Sequence, residues 1–108
     1  MGLFDLFRRP SIQEGLAQCQ ADPQGVLVDV RTREEYAQGH IPGSRNLPLD
    51  ELVQAKNMPD RNASLYLYCH SGARSRQAAA MLKRMGYWNV TNIGGLMGYR
   101  GTIEGGTR

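Results

Sequence analysis

Two short runs of this chain, Val26-Leu27-Val28-Asp29-Val30 and Ser64-Leu65-Tyr66-Leu67-Tyr68, are apolar or aromatic at nearly every position. A strand with no polar face must be covered on both sides, which places both runs inside a mainly parallel sheet. Helix signals stand between and around them. Pro10-Ser11 followed by Glu14 reads as an N-cap with its capping box, and Ile12, Leu16 and Cys19 then share the buried face of one helix. Thr32 and Glu35 form a second capping box, and Gly39 ends that short helix. Asn46-Leu47-Pro48 reads as a short edge strand, Asp50 as the cap of a helix reaching about Ala55, and residues 57–62 as a polar loop. A helix from Ser75 to Met85 packs through Ala78, Met81, Leu82 and Met85, with Gln77, Lys83 and Arg84 in water and Gly86 as its left-handed cap. Val90 to Ile93 forms the last strand, before Gly94-Gly95 and a short helix or turn. Strands alternating with helices predict an α/β fold, with a small, mainly parallel sheet flanked by helices on both faces.

With 108 residues, 41% hydrophobic and 21% charged, the chain suffices for one core that needs neither disulfide nor metal. The net charge is only +3, and eleven of the thirteen basic residues are arginine. Arginine suits planar oxyanions better than lysine does. The arginines are scattered without a basic block, which argues against nucleic acid as a partner. No apolar run is long enough to span a membrane. Residues 1–10, Met1-Gly2-Leu3-Phe4-Asp5-Leu6-Phe7-Arg8-Arg9-Pro10, read as an N-terminal arm ahead of a domain over residues 11–108. The arm lacks the features of a signal peptide, and Leu6 stands where a myristoylation motif wants Ser or Thr. A cytoplasmic setting is the expectation.

The chemistry concentrates in Cys69-His70-Ser71-Gly72-Ala73-Arg74-Ser75, directly after the second buried strand. Helix N-termini and successive backbone N–H groups bind anions and lower a thiol's pKa, so Cys69 is a candidate nucleophile. Gly72 lets the loop turn its N–H groups inward. Ser71 and Ser75 can donate to an anion, with Ser75 equally needed as the N-cap. Arg74 carries positive charge into the first helical turn against the macrodipole, and a bound anion or the thiolate would offset it. Arg76 is expected to point into solvent. His70 is read as facing solvent or a substrate rim, and His40 as a structural hydrogen-bonding residue in a turn. Asp29 and Arg31 follow the first buried strand and should reach the same sheet edge as Cys69. Asp29 either orients the loop or pairs with Arg31. Cys19, fifty positions before Cys69 and without metal-ligand spacing, is core filler.

These residues, taken in order, resemble the rhodanese-like sulfurtransferase family. The pattern runs through Val28-Asp29-Val30-Arg31, Glu35-Tyr36, Gly39-His40-Ile41-Pro42-Gly43-Ser44 and Asn46-Leu47-Pro48. It continues through Cys69 to Ser75, Gly86-Tyr87, Asn89-Val90 and Gly94-Gly95, covering about residues 11–100. The resemblance implies a rhodanese-like fold in which Cys69 takes a sulfane sulfur from a donor such as thiosulfate and becomes a persulfide. A cyanide or thiol acceptor, or a sulfur-accepting protein, then removes it. It also implies that Arg74 binds the donor's oxygens, that the residue 70–75 loop cradles the anion, and that no cofactor is required. Two positions depart from the common pattern: His70 follows the cysteine, where thiosulfate users often carry a basic residue, and Gly98-Tyr99 replaces a small residue and tryptophan. Phosphatases and arsenate reductases are the nearest enzymatic alternative, but their loops hold one more residue between cysteine and arginine. A non-catalytic or sulfur-relay binding module is the alternative from another class.

Overall fold

In the computed structural model, which describes residues 11–106, both capping boxes form as the sequence predicts. Ser11 Oγ accepts the Glu14 N–H, and the Glu14 carboxylate accepts the Ser11 N–H, opening helix α1 (Ile12–Ala21). Thr32 and Glu35 repeat the arrangement at the start of α2 (Arg33–Gln38). Each box satisfies two of the N–H groups that a helix start leaves without partners.

Four strands, β1 (Gly25–Asp29), β2 (Arg45–Asn46), β3 (Ser64–Cys69) and β4 (Val90–Gly95), form one parallel sheet in the order β2-β1-β3-β4. The α/β architecture with helices on both faces is the one expected. The pleat divides the side chains between two cores. Val28, Val30, Leu65, Leu67 and Cys69 face Ala78, Ala79 and Leu82 of α3 (Ala73–Arg84), together with Leu52. Leu27, Tyr68 and Ile93 face Ile12 of α1, with Leu16, Cys19 and Tyr66 packed against them. Cys19 is thus half-buried filler of the second core.

Tyr68 is a polar anchor inside that core. Its buried hydroxyl accepts the Ile41 N–H at 3.0 Å and bonds Ser44 Oγ at 3.1 Å. Through these bonds the turn over residues 39–44 is fastened beneath the sheet. His40 bonds the Tyr36 carbonyl at 2.8 Å and stacks on the Tyr36 ring, so its role is structural.

Three local expectations are corrected. Helix α3 begins at Ala73, two residues before the predicted start, with Gly72 as its N-cap at φ +102°. Only glycine adopts that conformation freely, and it turns the chain from loop to helix without a side-chain cap. Ser75 is therefore not the N-cap; it is fully buried as the third residue of the helix. Asp50 does not cap an α-helix either. Leu49–Gln54 is a 3-10 segment led by Pro48, with no side-chain cap, and the Leu49 N–H is already bonded to the Val30 carbonyl. Finally, β4 runs on to Gly95 with a bulge: Leu67 pairs with Asn92 but Tyr68 with Gly94, leaving Ile93 as an extra residue. The arm over residues 1–10 lies outside the described residues. Among the described residues no helix is long and apolar enough to cross a membrane.

Ile93 packs on the backbone of α1 at Gly15, where an added Cβ would sit 2.4 Å from Ile93 Cβ and Cγ2. Replacing a helical glycine by alanine usually gains about 1 kcal/mol, while forcing a methyl into a filled core costs about 1–3 kcal/mol. The clash should win. Gly15→Ala is expected to lower the unfolding free energy by up to about 2 kcal/mol, read from urea denaturation.

Candidate active site

Cys69 ends β3 with its side chain on the α3 face, only 1% exposed. The loop after it folds back over the sulfur, and its path is set by Gly95 on the neighbouring strand. A Cβ at position 95 would lie 2.1 Å from the His70 oxygen and 2.6 Å from Ser71 Cα, so the loop rests directly on glycine backbone. The Met97 N–H holds the His70 carbonyl at 3.1 Å. The Gly72 N–H then reaches Cys69 Sγ at 3.0 Å, and the Ser75 hydroxyl stands 3.4 Å from it.

These donors decide the charge of the sulfur. Burial is the largest influence and by itself raises a thiol's pKa. The Ser75 hydroxyl and the N–H groups of Ser75, Gly72 and Ser71 overcome it together, and the Cys69 thiol is held below its ordinary value. Cys19 goes the other way: burial and the nearby Asp22 carboxylate both push its thiol up. Of the two cysteines, only Cys69 has its ionised form favoured by its surroundings.

Ser75 has one hydroxyl proton and three acceptors in reach. Besides Sγ, these are the Gly72 carbonyl at 3.1 Å and Asn92 Oδ1 at 2.7 Å. The orientation of Asn92 is fixed by backbone on both sides. Its Nδ2 donates to the Gly72 carbonyl at 3.1 Å, and its Oδ1 accepts the Gly94 N–H at 3.0 Å. Asn92 thus ties the start of α3 to the bulge of β4 and holds the Ser75 hydroxyl beside the sulfur.

The charges along this edge are paired. Arg31 Nε and a terminal nitrogen donate to the buried Asp29 carboxylate at 2.7–3.0 Å, and the same terminal nitrogen reaches the Gly39 carbonyl at 2.6 Å. Asp29 and Arg31 therefore bond each other and the α2 turn, not the cysteine loop. Arg74 donates both terminal nitrogens to the two oxygens of Glu35, at 2.7 and 3.0 Å. The charge that the sequence leaves to be offset by an anion is offset by Glu35, whose carboxyl the Arg74 bond pulls down to about 2. His70, Ser71 and Ala73 are exposed around the mouth, and Arg76 points into solvent as expected.

With this geometry in place, the comparisons with known proteins decide the family. The model of the rhodanese-like domain matches residues 12–102. The chain belongs to the rhodanese-like family. It is 44% identical to the Escherichia coli thiosulfate sulfurtransferase PspE over 71 residues, which make up 64% of this chain and 68% of PspE. It is 42% identical over 83 residues to a sulfurtransferase of Allochromatium vinosum, covering 76% of this chain and 78% of that one. Among solved structures, an Escherichia coli rhodanese with anions superposes with a TM-score of 0.66 at 38% identity, covering 75% of this chain and 98% of that one. Rhodanese-type sulfur transfer is the activity these likenesses support.

Two residues of this rhodanese site escape the sequence reading. Glu35 is visible as a capping residue and within the family pattern, but not as the partner of Arg74, which lies 39 positions away. Asn92 sits in a run that reads as apolar strand; its signal is a polar side chain two positions after Val90, on the same inward face. The Ser75 bond yields a direct prediction. Ser75→Ala removes a donor to the thiolate and should move the pH profile of Cys69 alkylation upward. At neutral pH, alkylation by iodoacetamide is expected to slow by roughly five- to tenfold.

Proposed function

We propose that the protein is a thiosulfate sulfurtransferase of rhodanese type, in which Cys69 carries the transferred sulfur as a persulfide. The observation that carries this reading is the sulfur itself: a buried thiol at a strand end, with the Gly72 N–H at 3.0 Å and the Ser75 hydroxyl at 3.4 Å stabilising its anion. The Cys69 thiolate attacks the outer sulfur of a sulfane donor such as thiosulfate. A bond forms between Cys69 Sγ and that sulfur, the donor's own bond to it breaks, and sulfite leaves with the electron pair. In the second half-reaction a thiophilic acceptor, cyanide or a thiol, attacks the outer sulfur and Cys69 leaves as the thiolate. This is ping-pong covalent catalysis. No oxidant, reductant or cofactor enters the balance.

Residues 70–75 serve as the cradle in this reading. The N–H groups of Ser71, Gly72 and Ser75, which lower the thiol, are the same groups that receive the persulfide anion. Exposed His70 and Ala73 line the rim, and Arg74, whose charge interacts with that of Cys69, is the cation assigned to the donor's oxygens. Asp29 and Arg31 support the edge from beneath. The four-residue spacing between Cys69 and Arg74 favours a single sulfur atom over a tetrahedral phosphate, which weighs against phosphatase chemistry. A complete donor set on the thiol weighs against a purely non-catalytic module. The acceptor is a small thiophile or a sulfur-accepting protein. The proposal places residues 11–108 as the transferase domain in a reducing, cytoplasmic setting, where Cys69 stays free to react.

Intact mass after incubation with thiosulfate tests this. Wild type should gain one sulfur atom that cyanide removes, and Cys69→Ala should gain none. Cys69→Ser is expected to abolish turnover and Cys19→Ser to leave it intact; equal losses in the two variants would place Cys19 in the site. Arg74→Ala should raise the KM for the donor more than it lowers kcat. A wild-type protein that gains no sulfur from thiosulfate or from a hydropersulfide would overturn the transferase reading.

A further inference from the structure

The mouth of the Cys69 site contains a cation that is already occupied. Arg74 stands in the first turn of α3, where positive charge meets the positive end of the helix dipole, and its field reaches Cys69. Alone, it would attract every anion approaching the thiol, and a dianion more than a monoanion. It is not alone. Both terminal nitrogens are bound to Glu35, and each side chain of the pair is 35% exposed to solvent.

Glu35 is held in turn. Its Oε1 accepts the Thr32 N–H at 3.0 Å and the Thr32 hydroxyl at 3.1 Å, so the carboxylate that meets Arg74 also closes the α2 capping box. Withdrawing it from Arg74 would strain the start of α2. The second ion pair of this edge, Asp29 with Arg31, is buried and internally neutral. The cations of the two pairs are therefore each matched by a fixed carboxylate.

We infer that Glu35 is a specificity-determining residue: by neutralising Arg74 at the mouth, it favours singly charged sulfane donors, such as hydropersulfides, over dianionic thiosulfate. This rests on the transferase reading and names the donor class. The bond changes are alike for both donors. Cys69 Sγ bonds to the sulfane sulfur, and the leaving group departs with the electron pair, as a thiolate from a hydropersulfide anion or as sulfite from thiosulfate. What differs is one unit of negative charge on the incoming donor. Against an unpaired guanidinium several ångströms away, at a partly wet surface, that unit is worth about tenfold in affinity. Glu35 removes the advantage.

The test is Glu35→Gln, which keeps an amide oxygen for the capping box and removes the charge. We expect the ratio of kcat/KM for thiosulfate to that for methyl hydropersulfide to rise about tenfold, chiefly through the thiosulfate KM, and the gain to fade with added salt. Arg74→Ala alone, which leaves the Glu35 charge unpaired, should move the ratio about as far in the opposite direction. A ratio that does not move in Glu35→Gln, or that moves the same way in both variants, overturns the inference. A second readout needs no turnover: sulfate protection of Cys69 against iodoacetamide. Sulfate should protect about tenfold more tightly in Glu35→Gln, and unchanged protection overturns the inference as well. If neither donor places sulfur on wild-type Cys69, the transferase reading fails, while sulfate protection still decides the role of Glu35.

Discussion

Strand β3 is flanked by β1 and β4 and covered by a helix on each face, so every side chain along it is committed before the cysteine loop begins. Leu65, Leu67 and Cys69 point to one core, and Tyr66 and Tyr68 to the other. The thiol is the last member of an apolar series and inherits its burial. A sulfur so placed would stay protonated and inert if the chain simply continued. The loop over it supplies what burial takes away. Its N–H groups and the Ser75 hydroxyl must converge on Sγ because the solvent they replace is excluded, and that convergence makes a core residue reactive.

Convergence in turn requires a rigid floor. Gly95 provides it by letting the loop approach to a distance at which a methyl group would collide. Asn92 provides it by bonding the Gly72 carbonyl and the Gly94 N–H at once. Neither residue supplies charge. The charged residues lie further out and are tied in pairs to the α2 segment, Arg31 through Asp29 and Gly39, Arg74 through Glu35. The site is therefore built from neutral hydrogen-bond donors at its centre and balanced ion pairs around them.

Much of this is legible in the sequence, and the exceptions share a cause. The buried strands, both capping boxes, Cys69 and Gly72 follow from local patterns whose physics acts within a few residues. Ser75 has the residue type of an N-cap, but whether a serine caps a helix or lies inside its first turn depends on where the preceding glycine turns. Asp50 similarly has the residue type of a cap, but the turn begins before it, at Leu49 after Pro48, where the backbone bonds Val30. The pairing of Glu35 with Arg74 depends on β1 and β3 lying side by side, and strand order is not written in any local pattern. Asn92 shares the face of Val90 by simple alternation, but its partners, the Gly72 carbonyl and the Ser75 hydroxyl, lie 20 and 17 positions away in the chain.

That extra residue, Ile93, gives β4 two duties in six positions. Before the bulge its register keeps Asn92 on the thiol side; after it, Gly95 returns to the thiol side while Ile93 fills the core against Gly15. Deleting Gly94 would close the bulge with Gly95 still opposite Cys69, yet it would take away the N–H that holds Asn92 and, with it, the orientation of the Ser75 hydroxyl beside the sulfur. A one-residue irregularity in a strand is thus kept for a hydrogen bond: a tidier sheet would be a poorer sulfur site.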